Sequence, residues 1–407
     1  MPTRTTCRRR AMRLCLLAGL GWVYAAALRA AEPVRPPLVA VQEREPTYRT
    51  GWREGHQSHK WEERSVMLDS GKVAYTIKYS SCVDPSHPGV RVNEEGYIGM
   101  PTPCTANWYH GGFFFVRVNG QEIGESPLLD LRATERGERG ACQLVWENAE
   151  ARVRVQFLVT GGSERLLCQV TCLPKEGKKI EALEVLCRCY PSYFTSHNRR
   201  QGDRTLITPR TEGHEPATVT LEPAADTYLF YQDGVFDVAK GEGEGPCAML
   251  FLPDEIASGT VELTNYPVNT VLQAAPGVRR LRFAFWDFQG RANADAAGFL
   301  KLHGAAVRDE LRALDFRPPL LAAFDAGTIP AEMKALLAAA AADGERLRPD
   351  AEALVAKLLD TKLRAEKGDW AAEAEFAQQF ADYEALRWKL RIYGLLNTPA
   401  EPAPARP

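Results

Sequence analysis

Between residues 60 and 290 apolar and polar positions alternate in short runs, and beyond residue 293 the apolar spacing changes to threes and fours. Alternation with period two marks strands with one buried face, and the wider spacing marks helices with an apolar stripe. The plainest strand is "ARVRVQFLV": Val153, Val155, Phe157 and Val159 point one way, Arg152, Arg154 and Gln156 the other. One buried face and one wet face are therefore predicted there. Further strands are predicted over 72–80, 113–118, 141–147, 166–173, 180–190, 218–222, 227–231, 247–252, 260–264 and 280–286. Asn119-Gly120 between two extended runs predicts a two-residue hairpin turn, and Gly161-Gly162 and "KGEGEGP" separate other runs. No helical pattern interrupts the strands, which excludes a parallel sheet with crossovers. A mainly β protein is predicted: a large antiparallel β-sandwich over 60–290, followed by a C-terminal α-helical module over 291–396.

Within that module helices are predicted over 296–314, 331–342, 350–366 and 370–396. Pro330 and Pro349 sit at two predicted starts, and Asp369 is placed to cap the last helix. There Phe376, Phe380, Tyr383, Leu386, Leu390 and Tyr393 form one stripe. The stripe is buried within the module or on the sandwich, or else it pairs with a second copy as an oligomer formed through the C-terminal helices. Residues 397–407 read as a disordered Pro/Ala tail.

The N-terminus changes the picture of where the protein works. Arg8, Arg9, Arg10 and Arg13 precede the apolar run Leu14 to Leu28, and small residues follow at Ala25-Ala26-Ala27 and Ala30-Ala31. That layout predicts a signal peptide over 1–31 and a secreted or periplasmic protein. The run is short of the roughly twenty residues a permanent span needs, so no membrane association is expected after cleavage, with an uncleaved anchor as the alternative. Residues 32–59, rich in proline and charge, read as a linker or N-terminal extension. Lys plus Arg total 50 against 52 for Asp plus Glu, which removes any electrostatic case for a nucleic-acid partner.

Beyond the signal there are eight cysteines. Export would permit disulfides, but free buried thiols serve equally well as small hydrophobes and are the preferred reading. Were "PKEGKK" a hairpin turn, Cys168 would lie beside Cys187 or Cys189. No CxxC, HExxH, GxSxG or P-loop occurs. His56 and His59 with Glu62 make a poor metal set, so neither a metal nor a cofactor is expected.

The strands "FFFVRVNGQEI", "ARVRVQFLVTGGSERLLCQVTCLP" and "LEVLCRCYPSYF" resemble, in their rhythm, the galactose mutarotase-like β-supersandwich proteins. That resemblance implies the sandwich over about 60–290 and a carbohydrate as ligand. The histidine and glutamate that sugar epimerases of this fold use have no matching positions here, so no catalytic role carries over.

Three aromatic clusters are candidates for binding. In "LCRCYPSYFTSHNRR" Cys187 and Cys189 face the core and Pro191 ends the strand. Tyr193, His197, Arg199 and Arg200 then follow in a loop. Trp108, Tyr109 and His110 precede two glycines, and Trp286 finishes a strand. Aromatic faces with arginine forks suit a sugar ring or a carboxylated saccharide. The alternative is that the rings only pack and the arginines are solvated. The leading expectation is an exported, non-catalytic carbohydrate or cell-envelope polymer binding protein. Two others stand beside it: a carbohydrate-active enzyme (epimerase, lyase or hydrolase) using His110 or His197 as acid or base, and a structural envelope protein assembling through its C-terminal helices.

Overall fold

The structure is a computed structural model. It describes residues 37–53, 56–83, 96–101, 108–191, 202–240, 245–288 and 290–397, and of 49–53, 56–59 and 240 the backbone alone. Two antiparallel sheets pack face to face. The ten-stranded sheet runs in the order Ala40–Arg53, His56–Asp69, Ala74–Cys82, Tyr97–Gly99, Phe114–Val118, Leu183–Cys189, Val268–Ala274, Ile256–Leu263 and Ala217–Leu221, with Gln121–Glu122 paired to Phe114–Val118. The nine-stranded sheet runs Glu212–His214, Arg204–Ile207, Tyr228–Asp233, Cys247–Phe251, Arg280–Asp287, Arg165–Pro174, Ala151–Thr160, Arg139–Glu147 and Leu128–Glu135.

Between the sheets lies the main core, built from the inward member of each alternating pair, with Phe113, Phe114, Phe157, Phe283 and Phe285 in mutual ring contact at its centre. Each such ring contributes roughly 1.5–3 kcal/mol through burial. The predicted turn is present: Asn119 and Gly120 both have positive φ, 52° and 83°, as a type I′ hairpin demands. The Asn119 Oδ1 atom also accepts from the backbone N–H groups of Glu181 and Ala182 at 2.8 and 3.0 Å.

A third layer covers the nine-stranded sheet. Helix α1 (Asn293–Ala313) buries Leu300, Val307 and Leu311 on its outer face against Leu250, Trp286 and Phe288. Helices α2 (Pro319–Ala323), α3 (Ile329–Ala339), α4 (Ala341–Glu366) and α5 (Trp370–Asn397) form a separate core with Phe376, Tyr383 and Leu390 at its heart. The predicted stripe is thus buried in its own module. This layer corrects the expectation of a wet face on "ARVRVQFLV". Arg154 is 6% and Gln156 2% exposed, because Arg154 donates to both Glu373 oxygens at 2.7 and 2.8 Å and Gln156 donates to the Phe316 carbonyl at 3.0 Å.

Three further expectations change. Residues 40–53 and 56–69, placed in or next to a linker, form a long hairpin at the sheet edge, where charge and proline are tolerated. The register slips between Arg44 and Thr47, the stretch that holds Pro46. Arg165–Pro174 and Leu183–Cys189 are not a hairpin. Both sides of the first are already occupied, by Ala151–Thr160 and Arg280–Asp287, so the chain crosses to the other sheet. Pro349 lies inside α4, which begins at Ala341. Gly344 fixes that start, since a Cβ there would meet the Leu337 carbonyl oxygen at 1.9 Å. By contrast Pro330 does lie in the first turn of α3, and Asp369 Oδ1 accepts from the Ala372 N–H at 3.3 Å as a cap for α5.

Candidate functional site

The outer face of the ten-stranded sheet carries the unexpected chemistry. Strand alternation turns Cys187 and Cys189 inward, as expected, and leaves Leu186, Arg188 and, from the neighbouring strand, Phe115 and Arg117 on the outer side. Trp61, Tyr97, Phe115 and Leu186 form a small apolar cluster there, and the Arg188 guanidinium lies over the Phe115 ring at 4.7 Å. Arg188 is half-buried and its Nε atom has no hydrogen-bond partner. Among the described residues its guanidinium forms no salt bridge. Burial pulls its pKa below the ordinary arginine value, and the nearby Glu122 and Tyr109 oppose that shift. Such a group is a planar donor fork, partly desolvated and uncommitted.

Around it stand two polar supports. Arg117 donates to Glu184 at 2.7 Å and sits 3.6 Å from Glu122. Glu122 is 4% exposed, its Oε1 atom is without a partner, and burial pushes its carboxyl up to about 7. A cavity of about 10 Å³, the room for one water, adjoins Glu122, Tyr97 and Phe115.

On the other side of Arg188, residues 108–110 lie against the end of its strand. Trp108 bridges Cys189, and the Tyr109 N–H donates to the Arg188 carbonyl. The two glycines that follow permit this. Gly112 has φ 118° and its hydrogen faces the Phe115 ring, where a Cβ would meet the ring at 2.5 Å. Tyr109 then points outward. Its hydroxyl is 2.5 Å from that of Tyr266, whose ring is 5.6 Å from Tyr190 and whose side chain is 43% exposed. Burial and the bond to Tyr266 raise the Tyr109 pKa. His110 is exposed and its ring lies 5.2 Å from that of Tyr109.

The sequence-predicted residues therefore divide. Tyr109 lies against Arg188 and reaches Tyr190 through Tyr266 at one end of one sheet, with His110 beside Tyr109. Trp108 is fully buried in the main core, edge-on to Phe285 at 5.0 Å, and Trp286, 2% exposed, stacks on Phe288 beneath α1. Phe285 and Trp286 are successive residues of one strand, so the two tryptophans lie on opposite sides of the nine-stranded sheet. Tyr193, His197, Arg199 and Arg200 lie outside the described residues, as do the side chains of His56 and His59. Sequence reading missed Phe115, Arg117, Glu122 and Tyr266. The outward positions of "FFFVRV" held a signal for the first two, but Tyr266 joins the site only through the pairing of Val268–Ala274 with Leu183–Cys189.

Among the described residues no group of three or more His, Cys, Asp or Glu side chains is placed to hold a metal ion, and no helix is long and apolar enough to cross a membrane. All seven described cysteines are free thiols.

No protein-family model and no curated protein matches this chain. Solved structures with some likeness include an α-N-acetylgalactosaminidase from Bifidobacterium bifidum, at 13% identity and a TM-score of 0.35 over 63% of this chain and 39% of that one. A GH36 α-galactosidase from Geobacillus stearothermophilus matches at 11% identity and a TM-score of 0.28 over 60% and 41%. A TPR-domain containing protein from Parabacteroides distasonis matches at 10% identity and a TM-score of 0.38 over 84% and 79%. The chain spans about two fifths of the length of either glycosidase, and at these scores none of the three assigns an activity to it.

Proposed function

We propose that this chain is an exported, non-catalytic carbohydrate or cell-envelope polymer binding protein whose contact surface is the outer face of the ten-stranded sheet around Arg188. One observation carries the reading: a half-buried guanidinium stacked on Phe115, without an ion pair among the described residues, beside the hydroxyl-bearing rings of Tyr109 and Tyr266. A carboxylated sugar satisfies both halves, its carboxylate on the arginine fork and its C–H face against a ring. The charged segment and apolar run at the N-terminus support export.

Isothermal titration with oligogalacturonate, with neutral galacto-oligosaccharide as control, tests this. Binding is expected for the uronate. Arg188→Ala should lose about 2 kcal/mol, roughly thirty-fold in Kd, and Arg188→Lys should lose most of that because it keeps charge but not the fork. Equal affinity for both sugars, or an unchanged Kd in Arg188→Ala, would reject the site. Turnover of either sugar that disappears in His110→Ala would replace the binding reading by the enzymatic one.

A further inference from the structure

Helix α5 has two apolar faces, and among the described residues only one is buried. The second runs Ala381, Ala385, Trp388, Ile392, Leu395, in steps of four and three. Trp388 is 59%, Ile392 53%, Leu395 76% and the adjoining Leu396 76% exposed. Four large apolar side chains so exposed on one helix face are unusual for a surface left in water. The stripe is small at its N-terminal end and large at its C-terminal end.

We propose that a second copy of this chain covers it, with the two α5 helices antiparallel about a two-fold axis near residues 386 and 387. In that register Trp388 of one copy lies over Ala385 of the other, and Ile392 over Ala381, so large meets small twice over. The flanking charges agree. Lys389 faces Asp382 of the second copy and Arg391 faces Glu384. Neither Asp382 nor Lys389 has an ion-pair partner in its own chain among the described residues. Moving one heptad either way brings like charges together, Lys389 on Lys389 in one direction and Asp382 on Asp382 in the other, which disfavours those registers.

A separate observation falls on the same axis. A groove of about 600 Å³ lies between Leu128–Glu135, α2 and the first turns of α5, lined among others by Leu320, Phe376, Ala377 and Gln378. The register set by the charges places Leu395 of the second copy over Gln378 at the rim of this groove. An exposed leucine on one copy thereby meets the groove on the other, once at each end of about 26 Å of helix. The saccharide-binding reading is independent of this one.

Size-exclusion with light scattering on the full chain is the test. At micromolar concentration the expected mass is twice that of the monomer. Asp382→Lys and Lys389→Asp are exposed exchanges that leave the far-ultraviolet circular dichroism unchanged, and each should weaken self-association roughly tenfold or more. An equimolar mixture of the two variants should recover the dimer, because each lysine pair then meets an aspartate pair, and the double exchange within one chain should recover it as well. A monomeric unmodified chain, single exchanges that dimerise normally, or folded variants whose mixture stays monomeric would each overturn the proposal.

Discussion

Removing the Glu373 carboxylate should cost this protein more than any surface ion pair. Arg154 and Glu373 join the nine-stranded sheet to α5, and their side chains are 7% and 6% exposed. One guanidinium nitrogen donates to both carboxylate oxygens at 2.7 and 2.8 Å, and the Arg154 fork also lies over the Trp370 ring at 4.7 Å. Burial already pulls the Arg154 pKa down, and Glu373 is the main group holding it up. In Glu373→Ala the arginine stays buried without a counter-charge, which costs about 3–5 kcal/mol. Replacing both partners, Arg154→Met with Glu373→Leu, removes the desolvation cost together with the attraction and should lie within about 1 kcal/mol of the unmodified protein. Urea unfolding followed by circular dichroism and by tryptophan emission measures both, since Trp370 adjoins the pair. A loss below about 1 kcal/mol in Glu373→Ala, or a double variant as unstable as the single one, would refute the view that uncompensated burial sets the cost.

Two further outcomes follow from local geometry. Burial raises the Glu122 carboxyl from 4.5 to about 7 in the folded protein, so the folded state holds that proton more tightly than the unfolded chain. Its stabilising contribution is complete below pH about 4.5 and is lost as pH rises through 7, a change of about 3 kcal/mol that Glu122→Gln should abolish in denaturation midpoints measured across that window. A stability difference between the two proteins that stays flat across the window, or an unmodified protein that gains on Glu122→Gln as pH rises, would contradict this. Ala341 holds φ 50° at the junction of α3 and α4, a left-handed conformation that costs a side chain about 1 kcal/mol, so Ala341→Gly should raise the unfolding free energy by about that amount, and a decrease would argue that the strain is absent.

The pattern of the sequence determined what depends on neighbours along the chain. Alternation identified most strands and which of their side chains turn inward, as at Cys187 and Cys189, because a strand's side-chain direction is fixed by position parity. The Asn119-Gly120 turn, the Asp369 cap and the buried stripe of α5 were legible for the same reason: each is set within a few residues. Tertiary structure decided which strands became neighbours, and with that the site. Arg165–Pro174 reads as a partner for Leu183–Cys189 until Arg280–Asp287, over a hundred residues later, takes its free edge. Burial of Arg154 and Gln156 likewise depended on helices that lie far along the chain, since polarity alone cannot say whether a partner waits to satisfy it. Trp108 and Trp286 look alike as candidates in one dimension, yet a single sheet separates them, whereas Tyr109, Arg188 and Tyr266 come from three distant segments to one face. Local sequence fixes direction and conformation; long-range strand pairing fixes company, and a binding surface is a matter of company.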